Sequence, residues 1–356
     1  MIVFCYGTTA EAIKLAPVMR RLEQRGVPFQ QWVTLQQADT VLDALPGLGV
    51  PDPDHVLAVG RGGRPLRGPL DVVAWLGQIG RWALRNRRTL RGRRGRDVVV
   101  VHGDTMTSVV GALLARSMRM DSAHVEAGLR SGSWRHPFPE ELDRRIVGRL
   151  ATVHYAPTEV AAGHLAGRDV VMTGGNTVID AVRDRVRGAS DAGTGETYGV
   201  VLLHRFEFLG NGSLVRQTLQ TIVTESRSPV VMVVDDLARH SLGAVLPTLP
   251  PDRVRVVDKM PHASFTQLIA GADFIVTDSG GVQEEAAMLG VPTLVHRRAT
   301  ERGEGLGVNV LLSGWDMGVL REFLGDVESL RTVPQDDGVS PSQIVVEDLV
   351  RRGYGD

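Results

Sequence analysis

The sequence predicts an α/β protein with two Rossmann-like, doubly wound domains. Three observations carry this. Short apolar runs recur at residues 2–6, 98–101, 123–125, 170–173, 200–203, 230–234 and 274–276. Each is followed by a polar or glycine-rich turn and then by helical periodicity, the pattern of βαβ units and parallel sheets. The 356 residues make two to three domains at about 100–200 residues each. The units are too many for one compact sheet, so domains are expected over 1–167 and 168–340, with 163–168 as linker. The helical stretch 341–356 is expected to complete the first. Ligands of doubly wound folds sit beyond the carboxyl ends of the strands. Two such edges are expected to face one cleft.

The elements justify themselves in order. Residues 2–6 read as a strand, Gly7-Thr8-Thr9 as a turn, and the following stretch as a helix with Ile13, Ala16, Pro17 and Met19 near helical spacing. Four valines at 98–101 suit a strand buried on both faces. His102-Gly103-Asp104-Thr105 follows, then a small-residue helix over 108–117. Residues 81–96 carry eight arginines. Val72, Leu76, Ile79 and Ala83 form an apolar stripe beside them, and few aromatics are interleaved. That favours a helix with a solvated basic face over a nucleic-acid surface.

Composition removes other classes. Hydrophobic residues are 43%, charged residues 23% and the formal net charge is −1. This excludes a global polycation that coats nucleic acid or an anionic membrane. One cysteine, Cys5, excludes a disulfide framework and a thiolate metal cluster. No apolar run approaches the ~20 residues of a membrane span, and no signal peptide is read. The expectation is a soluble cytoplasmic protein without nucleic-acid or membrane partners. Of the 40 basic residues only Lys14 and Lys259 are lysines, so each is worth asking about, since a compact ammonium differs from a guanidinium.

Three strand ends hold candidate chemistry. Asp278-Ser279-Gly280-Gly281-Val282-Gln283-Glu284-Glu285 opens a helix after a strand. Its glycines admit close approach, its first amides and Ser279 suit a phosphate, and Glu285 suits ribose hydroxyls. Alternatively, the segment is a glycine turn with an acidic first turn. Glu126 follows a short strand, and Asp104 another. Glu140 and Arg144 lie four apart and share a helix face, while Glu141 and Arg145 repeat the spacing toward solvent. Carboxylates converging on one cleft push their pKa values apart and supply an acid and a base. Taken singly, each acid also reads as a cap or surface pair. His204-Arg205 suits pyrophosphate contact or acid–base work, or is a plain loop pair. HExxH, CxxC, GxGxxG and Walker patterns are missing, so no metal or nicotinamide cofactor is expected.

Together these stretches resemble the non-hydrolysing UDP-N-acetylglucosamine 2-epimerases. The resemblance rests on residues 7–18 (GTTAEAIKLAPV), 102–107 (HGDTMT), 124–130 (HVEAGLR), 137–145 (PFPEELDRR), 156–159 (APTE), 176–181 (NTVIDA), 204–207 (HRFE), 278–285 (DSGGVQEE) and 300–302 (TER), all collinear. It implies two Rossmann-like domains in a GT-B arrangement with UDP in the cleft, and a homodimer without metal or nicotinamide. It also implies removal of the sugar C2 proton as UDP leaves C1, giving a glycal, then re-addition of UDP after reprotonation on the other face. By resemblance, Asp104, Glu126 and Glu140 fall on the family's catalytic acids, and Lys14 and Arg144 on its functional cations. His204 falls on the histidine near the nucleotide phosphates and Phe265 on the residue contacting the base. Ser279, Gly280, Gly281 and Glu285 fall on the phosphate and ribose site, and Arg302 on a further cleft arginine.

The chain also departs from the family. Thr9 stands where the family has a nucleotide-contacting arginine, so a planar bidentate donor is lost. Phe206 and Phe208 replace polar residues of the histidine loop, Gln37 and Ala38 alter the segment of the activator site, and Gly303 replaces a proline. Other outcomes on the same scaffold are a hydrolysing epimerase, a glycosyltransferase using another nucleotide sugar, or a non-catalytic binding protein.

Overall fold

The computed structural model describes residues 1–36, 40–63, 66, 68–131, 139–186, 197–300, 302–334 and 338–355. Gln37, Ala38, Pro137, Phe138 and Glu301 lie outside the described residues. The chain divides into two compact units, Met1–Ala181 with Val339–Asp356, and Val182–Gly338.

The first unit runs β1 (Ile2–Tyr6), α1 (Thr9–Gln24), β2 (Phe29–Val33), α2 (Thr40–Leu48), β3 (His55–Val56), α3 (Pro69–Asn86), β4 (Val98–His102), α4 (Met106–Ser117), β5 (Asp121–Val125), α5 (Glu140–Leu150), β6 (Val153–Ala156), α6 (Glu159–Gly163), β7 (Asp169–Met172) and the start of α7 (Val178–Val186), whose residues from Val182 on are counted in the second unit. Its parallel sheet has the order β3-β2-β1-β4-β5-β6-β7. Every residue of β1, β4 and β5 is buried, as a parallel strand covered by helices on both faces requires. Cys5 lies in this core, where burial pushes its thiol far above the usual range, so it acts as a small apolar side chain.

The second unit runs β8 (Gly199–Leu202), α8 (Phe206–Leu209), α9 (Gly212–Glu225), β9 (Val230–Val234), α10 (Asp236–Ser241), β10 (Val254–Asp258), α11 (His262–Ala270), β11 (Phe274–Thr277), α12 (Gly280–Leu289), β12 (Thr293–Val295), β13 (Val310–Leu312) and α13 (Met317–Gly325). Its sheet, also parallel, has the order β10-β9-β8-β11-β12-β13. A last helix, α14 (Pro341–Arg351), returns to the first unit and packs on α1.

The chain order reverses between β1 and β4 in one sheet and between β8 and β11 in the other. These are the switch points where doubly wound folds bind ligands.

Three expectations change. The division falls after Ala181 rather than at 167/168, because β7 pairs with β6 (Val153↔Asp169 to Ala156↔Met172) and Ala181 joins the first core. Residues 163–168 are the turn from α6 to β7, pinned by the buried Leu165. On α3 the buried residues are Trp75 and Ile79, whereas Leu76 is 45% exposed. Ile79 and Ala83 face the core as expected, and Trp75 takes the buried place expected of Leu76.

Candidate active site

The first unit gathers its polar groups at the carboxyl ends of β1, β4 and β5. After β1, Thr8 caps α1 and its hydroxyl accepts from the Glu11 amide. Glu11 Oε2 accepts in return from the Gly7 and Thr8 amides at 3.0 and 2.9 Å, and its Oε1 accepts from Thr105 Oγ1 at 2.6 Å. This reciprocal box fixes the helix start. Burial still pushes the Glu11 carboxyl up to about 7, against the pull of those donors. Thr9 is half-buried at the first position of α1.

One helical turn on, Lys14 Nζ donates to Glu126 Oε2 at 2.6 Å, with both side chains buried. Asn176 Nδ2 donates to the same oxygen, and His102 Nε2 lies 3.7 Å from it. Glu126 sits just past β5 with φ 64°. That left-handed conformation is uncommon for a residue with a Cβ and costs of order 1–3 kcal/mol. The surrounding contacts hold it: Gly103 N donates to Val125 O and Ala127 N to Tyr155 O, both at 2.9 Å. Neighbouring His124 is buried against Gly103 O at 2.7 Å, and burial lowers its pKa to about 3. It is a neutral packing histidine.

Asp104 follows β4 and accepts from Arg144 of α5. Glu140 opens α5, half-buried. Arg144 does not show the expected pairing with Glu140; its described carboxylate partners are Asp104 and, at 3.8 Å, Glu141. Glu141 is not a solvent-facing duplicate either. It is fully buried and accepts from Arg145 Nε at 2.8 Å and Ser131 N at 3.2 Å. The first turn of α5 carries acids on more than one face, and the buried arginine takes Asp104 from the end of β4 and Glu141 from its own helix. Asp143 is also buried, and burial together with the charges of Asp104 and Glu140 pushes it up to about 7.

The second unit repeats the arrangement with different groups. Asp278, after β11, accepts from the His204 amide at 3.1 and 3.0 Å and from the Arg205 amide at 2.8 Å. The two loops that leave the switch point are thereby tied together. His204 Nδ1 lies 3.6 Å from Asp235 Oδ2 and its Nε2 lies 3.8 Å from Asp278 Oδ1. Burial raises the Asp278 pKa, against the pull of His204 and the two amides. Ser279 caps α12 by accepting from the Val282 amide. Gly280 and Gly281 then present the first helical amides, which have no intrahelical partner. A Cβ added at Gly281 would meet only Ser279 Oγ, at 3.9 Å. Packing within the chain therefore does not demand this glycine.

One turn into α12, Glu285 Oε1 is 2.8 Å from His262 Nε2, and His262 Nδ1 in turn contacts Arg185. Phe265 is buried on α11, a turn from His262. Arg302 Nη1 donates to Glu284 Oε1 at 2.6 Å, and both residues are buried. Phe208 packs in the core edge-on to His296, whereas Phe206 is 77% exposed. Only one of the two added aromatics is thus placed to meet a ligand. Lys259 is exposed.

The expected site residues therefore form two sets: Lys14, Glu126, Asp104, Arg144 and Glu140 with Thr9 in the first unit, and His204, Arg205, Ser279, Gly280, Gly281, Glu285, Phe265 and Arg302 in the second. Sequence reasoning assigned no role to Asn176, His102, Glu11, Asp143 or His262. Asp235, the N-cap of α10 after β9, was open to the same strand-end rule that found Asp104.

Two parallel doubly wound sheets, each with its charged groups at the switch point, define an α/β protein that handles a nucleotide-type ligand at its strand ends. Comparison narrows this class. Residues 73–319 match the protein family described as UDP-N-acetylglucosamine 2-epimerase. The UDP-N-acetylglucosamine 2-epimerase of Bacillus subtilis (strain 168) is 34% identical over 98% of this chain and 95% of its own. That of Salmonella typhimurium is 31% identical over 96% of each. Among solved structures, the Methanocaldococcus jannaschii UDP-GlcNAc 2-epimerase in complex with UDP-GlcNAc and UDP superposes with a TM-score of 0.80 at 27% identity, covering 98% of this chain and 99% of that one. A Listeria monocytogenes protein described as a putative UDP-N-acetylglucosamine 2-epimerase gives 0.82 at 27% identity, covering 98% and 96%. The chain belongs to the UDP-N-acetylglucosamine 2-epimerase family.

Proposed function

We propose that this protein inverts C2 of UDP-N-acetylglucosamine, giving UDP-N-acetylmannosamine, by elimination and re-addition of UDP. The observation that carries the reading is Glu126, a buried residue in a left-handed backbone whose carboxylate is gripped by Lys14 and Asn176. A carboxylate so fixed beside an ammonium suits proton abstraction at carbon. As it takes the C2 proton, the C–H electron pair forms the C1–C2 double bond. The C1–O bond breaks and its electrons leave with the UDP oxygen. In the return step that oxygen attacks C1, and C2 takes a proton on the opposite face from a second acid. Asp104, backed by Arg144, and Glu140 are the candidates for that second acid.

His204, Arg205 and the α12 amides at Gly280 and Gly281 serve the departing pyrophosphate, where fixed donors meet developing charge. Ser279, Glu285 and Phe265 serve phosphate, ribose and base, with Arg302 holding the α12 segment through Glu284. Thr9 leaves that grip without one guanidinium.

The protein also acts as a homodimer in this reading. Leu70, Val73 and Leu84 of α3 are 72%, 66% and 66% exposed, an apolar face that a second copy would cover. Light scattering of the purified protein at twice the monomer mass supports this; a monomer at micromolar concentration removes it.

Incubation with UDP-N-acetylglucosamine in deuterated buffer, followed by proton NMR, tests the reaction. The expected result is deuterium at C2 and two nucleotide sugars at equilibrium, with Glu126→Gln inactive. Free sugar or a conjugate among the products would assign the chain to hydrolysis or transfer instead.

A further inference from the structure

The arginine-rich segment before β4 is not absorbed by the epimerase reading. From Arg81 to Arg96 the sequence contains eight arginines and no aspartate or glutamate. Arg91, Arg93 and Arg94 gather with Arg116 and Arg119, at and just past the end of α4, around an open cavity of about 770 Å³ that also includes Gly92, and all five arginines are exposed. Its lining contains five guanidinium side chains, no carboxylate and no aromatic ring.

The cradle is built rather than loose. Gly92 N donates to Met118 O at 2.9 Å, and Arg96 N and Asp97 N both close on Arg93 O. A Cβ at Gly92 would come within 2.6 Å of Met120 Cγ and 2.9 Å of Asp97 Cβ. Two acids beside the loop are already engaged: Asp97 Oδ2 accepts from Arg93 N at 2.6 Å and its Oδ1 pairs with the N-terminal ammonium at 2.5 Å, and Asp121 Oδ2 accepts from Gly95 N at 2.7 Å. Arg119 adopts φ 59°, a left-handed conformation that a β-carbon disfavours. Among the described residues, none of the five lining arginines has a side-chain hydrogen bond or ion pair. Five like charges so gathered repel one another, and an anion would relieve that repulsion. The chain-wide preference for arginine over lysine sets which cation stands here; it does not account for the missing acids.

The place is distinct from the candidate active site. The cavity lies at the amino ends of β4 and β5, whereas Asp104 and Glu126 follow their carboxyl ends. A five-residue strand separates the two edges, about 16 Å at ~3.3 Å per residue.

We propose that this cavity is a second, non-catalytic site for an oligophosphate anion. Guanidinium forks pair with phosphate oxygens two at a time, and the volume is that of a small-ligand site. Without aromatic rings no base is stacked, so recognition is of the phosphate chain.

Calorimetry with sodium tripolyphosphate, on the whole protein first saturated with UDP, tests it. Binding is expected at low salt, weakening about tenfold or more as salt rises several-fold. R93E/R94E, on the loop, and separately R116E/R119E, on and just past the last turn of α4, are each expected to lose that binding while UDP binding and C2 exchange persist. Absence of tripolyphosphate binding, or binding unchanged in both double variants, would overturn the proposal. So would tighter binding of a single-stranded RNA, or of phosphatidylglycerol vesicles, than of tripolyphosphate at equal salt, since either would make the patch a macromolecular surface.

Discussion

Lys14 and Glu126 lie 112 residues apart in sequence and meet at 2.6 Å with both side chains buried. The pair links the helix after the first strand to the turn after the fifth, across the switch point of the sheet. In a chain with only one other lysine, the ammonium fits where a planar guanidinium would need more room. Lys14→Met leaves a buried carboxylate without its cation. Breaking such a pair costs about 3–5 kcal/mol of stability, and loss of a tuned base lowers turnover about 10²–10⁴-fold. Lys14→Arg is expected to fold and to lose most activity. Thermal unfolding and C2 deuterium exchange separate the two effects; an arginine variant with full turnover would return Lys14 to a matter of composition.

Asn176 donates to the same carboxylate oxygen. Asn176→Leu removes that hydrogen bond and is expected to lower kcat/KM about tenfold. Asn176→Asp places a second carboxylate against Glu126 and is expected to lower it further. An unchanged kcat/KM for C2 exchange in both variants would mean that Asn176 serves packing alone.

Gly281 gives a test that uncouples binding from folding. A methyl there meets nothing closer than 3.9 Å, and alanine in a helix is favoured over glycine by about 0.8–1 kcal/mol. Gly281→Ala should match or exceed the parent in thermal stability. The same methyl stands at the helix start where a phosphate would approach, so UDP affinity should fall about tenfold or more, read by calorimetry. Unchanged affinity would place the nucleotide elsewhere.

Asp143 and Glu11 make stability depend on pH in an unusual direction for acids. Burial raises both, from 3.8 and 4.5 to about 7. Between those limits the folded chain keeps protons that the unfolded chain has released. Stability is therefore lost as pH rises from about 4 through about 7 and is level above. Asp143→Asn removes its share of that slope. The difference in Tm between variant and parent should move in the variant's favour by a few degrees, about 2–4 °C, from pH 5 to pH 8. A difference independent of pH would mean that Asp143 ionises freely in the folded chain.

The sequence disclosed what depends on local pattern. Valine-rich β4 and β9 announce themselves, and so do the strand-end motifs around Asp104, Glu126 and Asp278. Strands such as β2 (FQQWV), β6 (VHYA) and β12 (TLV) are short or polar, and parallel pairing alone makes them strands. β7 has exposed ends on the edge of its sheet, which is why the division was expected too early. Within the site, residue types were legible but partners were not. Helical spacing offered Glu140 to Arg144, and the fold supplied Asp104 from 40 residues away. Asn176 stood within a recognised motif, yet nothing in its spacing pointed to Glu126.

The return of α14 to the first unit bears on how the protein is made. Val345, Val346 and Leu349 belong to the first core, and Tyr155 Oη donates to Asp348 at 3.0 Å. The ribosome delivers these residues only after it has synthesised the whole of the second unit. The contiguous unit can finish folding while its predecessor still waits for its closing helix. During that interval the α1 surface is uncovered, and a nascent chain stalled before Pro341 would expose it to chaperones and proteases.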